Sequence, residues 1–432
     1  MTSTFYTSLT GVQTFQQGID VWAHNISNSN LSGYRAKRPE FANLFTDVVN
    51  SIPSNTITSS QKGFGTTLST SQITKDQGSF STTDSTFDLA LDGNGWFGIL
   101  NKDGDKLFTR NGNFNFDKNR YLTTQSGGYV TGQMAGNINM SADATNNTLT
   151  GVISDIQFGS PESQTRLQLP NMLTYPQVLT STVSVAGNLG LSGDSKTFST
   201  VLVSQNNESN KLSVTFNKVQ SASGTNSTDD KSSVWEFTAT ITDKDGKVLD
   251  KQNGGLSFDS TGRLFTAQNP SLSNGGVPIK INFGDNKAGI VANDSGTESV
   301  IVSKDGVPEG QLNRYGISQD GNVVAFFDNG YKSVVAKIGV YHFRNEQGLQ
   351  DIGGSYYAQS ETSGDPMFYV DDAGKLITTE GLVLESTLEE TNMSNAEALS
   401  ELMIIQRAFD ASSRALKTGD EMIKLALQMD SK

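Results

Sequence analysis

The sequence contains no cysteine, which excludes disulfides, thiol nucleophiles and thiolate metal sites. Histidine is nearly as scarce. Only His24 and His342 occur, far apart and without the spacing of a paired metal or acid–base site. No apolar run approaches the ~20 residues that a membrane-spanning helix needs, so no membrane insertion is expected. Met1 to Leu9 lacks a basic segment leading into an apolar stretch, so a cleaved secretory signal is not expected either. Charged residues make up only 18% of the chain and hydrophobic residues 35%. The net charge of −13 opposes binding to phosphate backbones and anionic headgroups, and nucleic-acid binding is not expected. The short basic run Arg35, Lys37, Arg38 reads as a solvated or carbonyl-capping face.

What is present is length, small polar residues and two periodic ends. A chain of 432 residues can form two or three domains. Its 43 glycines, with abundant Ser, Thr and Asn, indicate many short strands and turns. Near the start, Phe5, Leu9, Val12, Phe15, Ile19, Trp22 and Ile26 recur at about 3.5 residues, a heptad-like seam. The seam stops in Asn25-Ile-Ser-Asn-Ser-Asn-Leu-Ser-Gly33, whose residues tolerate left-handed backbone and compete for helix hydrogen bonds. The last forty residues repeat the pattern at Ala398, Leu402, Ile405, Phe409, Ser412, Leu416, Gly419, Ile423 and Ala426. Ser394 with Glu397 forms a capping signature, and Met393 is placed as a staple. Ser412 and Gly419 weaken the seam but allow close helix approach.

Between these ends, alternation with turn signals predicts strands, as in Phe87 to Gly93, Trp235 to Ile241 and Val334 to Val340. Asp-Gly pairs begin at Asp92, Asp103, Asp245, Asp305 and Asp320, and Asn-Gly pairs at Asn111 and Asn329. They predict tight turns and hairpins. Residues 51–86 read as an extended connector and 219–232 as a loose loop. Asp243-Lys-Asp-Gly begins like a calcium loop, but its twelfth position is Gly254 rather than Glu, so a turn is the better reading. Asp371 with Asp372, and Asp84 with Asp88, suit hairpin or solvent roles better than a catalytic pair. Trp22, Trp96 and Trp235 are read as packing anchors. His24 is read as a polar interface residue.

Several stretches together resemble the bacterial flagellar rod and hook axial proteins. The Asn-rich segment Asn25 to Tyr34, with Asn25, Asn28, Gly33 and Tyr34, is similar to the family signature, although His24, Ser27 and Leu31 depart from it. Asp88 to Phe97, with Gly93, Gly95 and Phe97, resembles the family's Gly-rich strand and turn. Phe108 to Phe114, with Arg110 and Gly112, resembles the following hairpin, and Asn119-Arg120 departs from the usual turn. Near the end, Leu388 to Leu399, Ile405 to Arg414 with Gln406 and Arg407, and Lys417 to Met422 resemble the terminal helix.

The resemblance implies a mainly β chain with α-helical termini. The N- and C-terminal helices would pair as a coiled-coil-like inner domain, with nested β-rich domains projecting outward. The implied organisation is a helical core from 1–32 and 391–432, an extended connector from 33–75 and 367–390, a shared β domain from 76–148 and 305–366, and an outer β domain from 149–304. The long middle favours a hook subunit over a distal rod subunit. The implied role is a homopolymer forming a curved tube that transmits torque as a flexible joint. Its partners would be the distal rod, the hook cap, the hook–filament junction and an export apparatus that needs no cleaved signal. The expected polymer interface comprises Phe5, Leu9, Val12, Phe15, Ile19, Trp22 and Ile26 with Leu402, Ile405, Phe409, Leu416 and Ile423. No enzyme activity and no cofactor is expected. The alternatives are a distal rod subunit with an insertion, a secreted β-rich adhesin-like module and, third, a carbohydrate-active enzyme.

Overall fold

The structure, a computed structural model, describes the chain except residues 1, 45, 49–60, 64, 75, 141–146, 191–194, 206, 220–232, 260, 286–287, 295–298, 371–374, 378–380 and 431–432. The expected loose loop at 219–232 falls almost wholly outside the described residues, as do Asp371 and Asp372. Helix α1 spans Thr2–Ser27 and helix α2 spans Asn395–Asp430, where the two 3.5-residue seams lie. Helix α1 ends because Asn28 takes over its last carbonyl: the Asn28 backbone and side-chain amides both donate to the His24 carbonyl, at 3.2 and 2.9 Å. At the start of α2 the Glu397 amide donates to Ser394 Oγ at 3.5 Å, and Met393 packs beside Trp22, Ala398 and Ile405. The Glu397 carboxylate turns instead to Arg38, 3.0 Å away.

The helices run antiparallel, with Trp22 beside Ala398 and Ile405, Gly11 facing Ser412, and Phe5 facing Gly419. All nine seam positions of α2 are buried or half-buried. On α1 the outcome is different. Its most covered positions are Ser8, Gly11, Thr14, Gly18, Trp22 and Asn25, while Phe5, Leu9, Val12, Phe15, Ile19 and Ile26 are half-buried. Two partners share the cover: α2 lies over Gly11, Trp22 and part of Gly18, and a two-stranded arm lies over Thr14 and the rest of Gly18. Strands Lys37–Asn43 and Thr66–Ile73 pair antiparallel, and Thr14 Oγ1 donates to the Thr66 carbonyl at 2.9 Å. Phe41 rests on Gly18 and meets the Phe15 ring edge-on at 5.7 Å. The stretch read as a connector therefore carries strands at Thr66–Ile73 and Phe80–Thr82.

Beyond the arm, the outgoing and returning chain pair with each other level by level. Phe80–Thr82 pairs with Thr387–Glu389, Leu89–Asp92 with Leu382–Glu385, and Trp96–Leu100 with Val340–Tyr341. Farther out, Val178 bridges Val307. A 15-stranded sheet lies in the middle, its core built from Leu89, Phe97, Phe114, Val130, Leu167, Val323 and Ile338 among others. Outermost, a 5-stranded antiparallel meander from Ser195–Val203 to Leu264–Ala267 packs on a 6-stranded sheet centred on Thr182–Asn188. Alternating inward residues such as Leu212, Val214, Trp235, Phe237, Ile279 and Phe283 form one shared core between these two sheets.

Asp103-Gly104, Asp245-Gly246, Asp320-Gly321 and Asn329-Gly330 close tight turns, each glycine with positive φ. Three pairs do not form the hairpins the dipeptides suggest. Asp92-Gly93 joins Leu89–Asp92 to Trp96–Leu100, which pair with other strands and not with each other. The other two lie closer still to neighbouring backbone. Asn111-Gly112 crosses the Leu89 strand so closely that a Cβ on Gly112 would lie 1.8 Å from the Leu89 carbonyl oxygen. Asp305-Gly306 lies in the neck between the middle and outer sheets. Close backbone approach, not chain reversal, accounts for the glycine in these last two. Trp22, Trp96 and Trp235 are buried anchors, at most 5% exposed.

One ion cluster pins loose segments to the large sheet. Asp155 Oδ1 accepts from Lys337 Nζ and Asn322 Nδ2, both at 3.3 Å, and Oδ2 accepts from Lys375 Nζ at 2.6 Å. Burial raises the Asp155 pKa, but the Lys375 hydrogen bond, the Lys337 charge and hydrogen bonds from Asn322 and Lys337 overcome this and bring it to about 2. A depressed carboxylate stabilises the fold above its unfolded value, and that contribution is lost as pH falls through the folded one. Thermal melts from pH 7 to pH 2 should therefore show the wild-type chain losing stability between about pH 4 and pH 2. Asp155→Asn should be less stable at pH 7 and lack that part of the acid dependence; an unchanged profile would remove the cluster from the account.

Candidate functional site at the root of the helices

The two helices join the β body through a buried polar hub. Glu389, the last strand residue before the loop into α2, lies between two arginines. Arg35 Nη2 is 3.0 Å from Oε1, and Arg110 Nη1 is 3.5 Å from Oε2, with all three side chains at most 5% exposed. One carboxylate cannot neutralise two guanidinium groups, so backbone carbonyls take the remaining donors. Arg110 donates to the carbonyls of Leu91 at 3.2 Å and Gly93 at 2.6 Å, and Arg35 donates to the Asp76 carbonyl. Burial, followed by the neighbouring Arg35 charge, lowers the Arg110 pKa to about 10 against the opposing pull of Glu389.

Glu389 also engages backbone on both sides. Gly78 N donates to its Oε1 at 3.1 Å, and Gly33 N donates to its carbonyl at 2.7 Å. Asn392 extends the connection toward α2. Its Oδ1 accepts from Ala36 N at 2.9 Å, and its Nδ2 donates to the carbonyls of Thr74 and Asp76 at 3.1 and 2.8 Å. Asn25 performs the same office for α1. Its Nδ2 donates to the Lys37 carbonyl at 2.6 Å, and its Oδ1 accepts from Lys37 N and the Tyr34 hydroxyl, both at 3.0 Å. Each helix is thus tied by an asparagine to the strands beside it.

Most of the N-terminal signature residues converge here. Gly33 has φ +67°, and a Cβ would lie 2.3 Å from Asn111 N and 2.4 Å from the Arg110 carbonyl carbon. Gly93, at φ +118°, presents the carbonyl that Arg110 binds, and its amide faces Gln77 Oε1 at 3.3 Å. Gly95, at φ +132°, leaves room for the Val340 side chain, while Phe97 is fully buried against Phe114 at 5.2 Å. Asn28 remains at the end of α1, and Gln406 and Arg407 are exposed on α2, away from the hub. Arg35, Gln77, Glu389 and Asn392 were not recognised as a unit from the sequence. Arg35 is buried and ion-paired, which corrects its reading as part of a solvated run; it caps a carbonyl only as one of two duties. Beside the hub, His24, Leu31, Lys37, Asp351 and Ile352 line an open cleft of about 450 Å³. Among the described residues, no group of three or more acidic or histidine side chains is placed to hold a metal ion.

Arg110 and Gly93 of the hub lie within one matched family profile, and Glu389 and Asn392 within another. The one described as "Flagellar hook protein FlgE/F/G D1 domain" matches residues 90–154, and the one described as "Flagellar basal body rod FlgEFG protein C-terminal" matches residues 384–429. Both profiles are those of flagellar rod and hook proteins, which this chain resembles over the two matched stretches. Similarity to flagellar hook proteins extends almost end to end. That of Escherichia coli strain K12 is 24% identical over 98% of this chain and 99% of its own length, and that of Brucella suis is 24% identical over 98% of both chains. The crystal structure of Helicobacter pylori flagellar hook protein FlgE2 has a similar fold, with TM-score 0.52 and 19% identity over 70% of this chain and 98% of that one. The family is one of structural subunits, and the mainly β fold with paired terminal helices conforms to it.

Two substitutions test the hub. Glu389→Gln leaves two buried guanidinium groups without an anion and should cost about 3–5 kcal/mol in urea unfolding. The exposed pair partner Arg38, substituted to Ala, should cost no more than about 1 kcal/mol. Gly33→Ala should destabilise by more than the ~1–2 kcal/mol left-handed penalty alone, because its methyl group meets backbone. Equal effects of Glu389→Gln and Arg38→Ala would contradict this ranking.

Proposed function

We propose that the chain is the structural subunit of a bacterial flagellar hook, polymerising through its terminal helices into a curved tube that works as a flexible joint. The observation that carries the reading is the uncovered apolar face of α2. Leu399, Met403, Ile404, Met422, Leu425 and Met429 are all more than half exposed. Ile404, Ala408, Ala411, Ala415, Thr418, Met422, Leu425 and Met429 alternate steps of four and three, so a second heptad seam runs beside the one that packs on α1. A lone chain leaves that seam in water; neighbouring copies bury it. The free face of α1, with Gln13, Gln16, Gln17 and Asp20, is polar apart from Tyr6.

The half-buried Phe5, Leu9, Val12, Phe15, Ile19 and Ile26, with Leu402, Phe409, Leu416 and Ile423, present their open edges to the same neighbours. Trp22 and Ile405 serve the pairing within one chain. The four-part organisation, with a helical core at 1–32 and 391–432 and an outer β domain at 149–304, belongs to the same proposal, as do the distal rod, hook cap, junction and export apparatus as partners. Location outside the cell, reached without signal cleavage, follows from that role. The outer domain favours the hook over the rod. Many small polar surface residues suit contacts that must slide as the joint bends.

Electron micrographs of polymer grown from purified subunits test the assignment. Curved tubes are expected; straight tubes would favour a rod subunit, and compact oligomers would overturn the polymer. Ile404→Asp and Leu425→Lys should each weaken assembly by about tenfold or more, since burying one such side chain is worth about 1.5–3 kcal/mol. Circular dichroism of the subunit should be unchanged. Gln16→Glu on the polar face should assemble normally.

A further inference from the structure

The chain passes twice between the large sheet and the outer sandwich, once outward near Val178 and once returning near Val307. At the centre of this neck the two strands exchange amide hydrogen bonds, Val178 N to the Val307 carbonyl at 2.8 Å and Val307 N to the Val178 carbonyl at 2.9 Å. Thr180, fully buried, exchanges a second pair with Val203 of the sandwich: its Oγ1 accepts from Val203 N at 2.9 Å, and its amide donates to the Val203 carbonyl at 3.2 Å. Gly306 backs against Thr180 so closely that a Cβ would lie 1.9 Å from Thr180 Oγ1. These contacts fix a pivot. Two strands held at one point resist separation, yet they leave rotation about that point free.

A second set of contacts lies off the pivot. The turn that follows strand Ser195–Val203 reaches back from the sandwich and engages both neck strands. The Gln205 carbonyl accepts from Gln177 Nε2 at 2.9 Å, and Asn207 Oδ1 accepts from Glu309 N at 3.0 Å. Asn207 makes its contact from a left-handed backbone, φ 55°, a conformation that asparagine tolerates better than most residues. We propose that this turn is a releasable bracket that sets the angle between the outer sandwich and the large sheet.

Its chemistry differs from that of the pivot in one respect. The bracket bonds are solvent-exposed, so water can take the place of either partner when the bracket opens. Each such neutral bond gives about a fivefold preference for the closed angle. The pivot bonds at Thr180 are buried and cannot be exchanged for water in place. Opening the bracket therefore lets the sandwich swing while the neck stays intact. This inference holds for the chain as a monomer and does not rest on the hook assignment.

The absence of cysteine makes the test direct, because Lys118→Cys on the large sheet and Lys244→Cys on the sandwich, both exposed, would carry the only two spin labels. Pulsed electron–electron distance measurement on the full chain should give one narrow distribution. Asn207→Gly, which keeps the left-handed backbone without strain but removes the acceptor, should broaden it or add a second distance. Gln177→Ala should do the same from the other strand, and the two together should broaden it most. Asn207→Asp, which retains the acceptor, should stay narrow. A broad distribution in the unsubstituted chain, or a narrow one in both Asn207→Gly and Gln177→Ala, would overturn the bracket.

Discussion

The Glu389 carboxylate, closed between Arg35 and Arg110, is the constraint on which the rest of the molecule depends. Arg35 follows α1, Arg110 belongs to the β body, and Glu389 leads into α2. One anion thus joins three parts of the chain that no local interaction would bring together. A buried ion pair is a poor source of net stability, since desolvation offsets attraction. Its value here is selectivity. Any other arrangement of these three segments leaves a charge buried and alone, so the helices leave the β body at one place and in one direction.

From that fixed root the two helices receive unequal treatment. The arm of Lys37–Asn43 and Thr66–Ile73 lies on α1, and α2 covers another side of it, so its remaining open face is largely polar. Helix α2 packs only one seam and extends past the start of α1, leaving the second apolar seam bare. Thr14 and Gly18 explain the asymmetry. Small side chains on α1 admit the arm's backbone and Phe41 close to the helix axis, and an arm made of strands needs that closeness to bury anything.

Periodicity placed both helices within a residue or two, along with the stop at the Asn-rich segment, because these depend on local spacing and local capping. The seam on α2 was legible in full. That on α1 was legible only in part, since the bulky residues announce themselves and the small ones do not; nothing local reveals that an arm will lie on Thr14 and Gly18, or that α2 will close on Gly11. The hub was invisible for a related reason. Arg35 stands in a short basic run, whose usual fate is solvation, and Glu389 lies at the other end of the chain. Only the fold pairs them. Likewise Asp305-Gly306 and Asn111-Gly112 carry turn signals, yet their glycines serve close contact between strands distant in sequence.

The level-by-level pairing of outgoing with returning chain has a consequence for the order in which the molecule can form. Strands Phe80–Thr82 and Leu89–Asp92 take their strand partners from Thr387–Glu389 and Leu382–Glu385, so the inner levels cannot close until nearly the whole chain is available. The outer sandwich, continuous from Thr182 to Lys304, needs no such wait. Closing long loops is the slow step in folding, and each level that forms shortens the loop remaining for the next. The sequence therefore folds from its middle toward its ends, and the two helices, drawn together last, complete their pairing when every strand outside them is already in place.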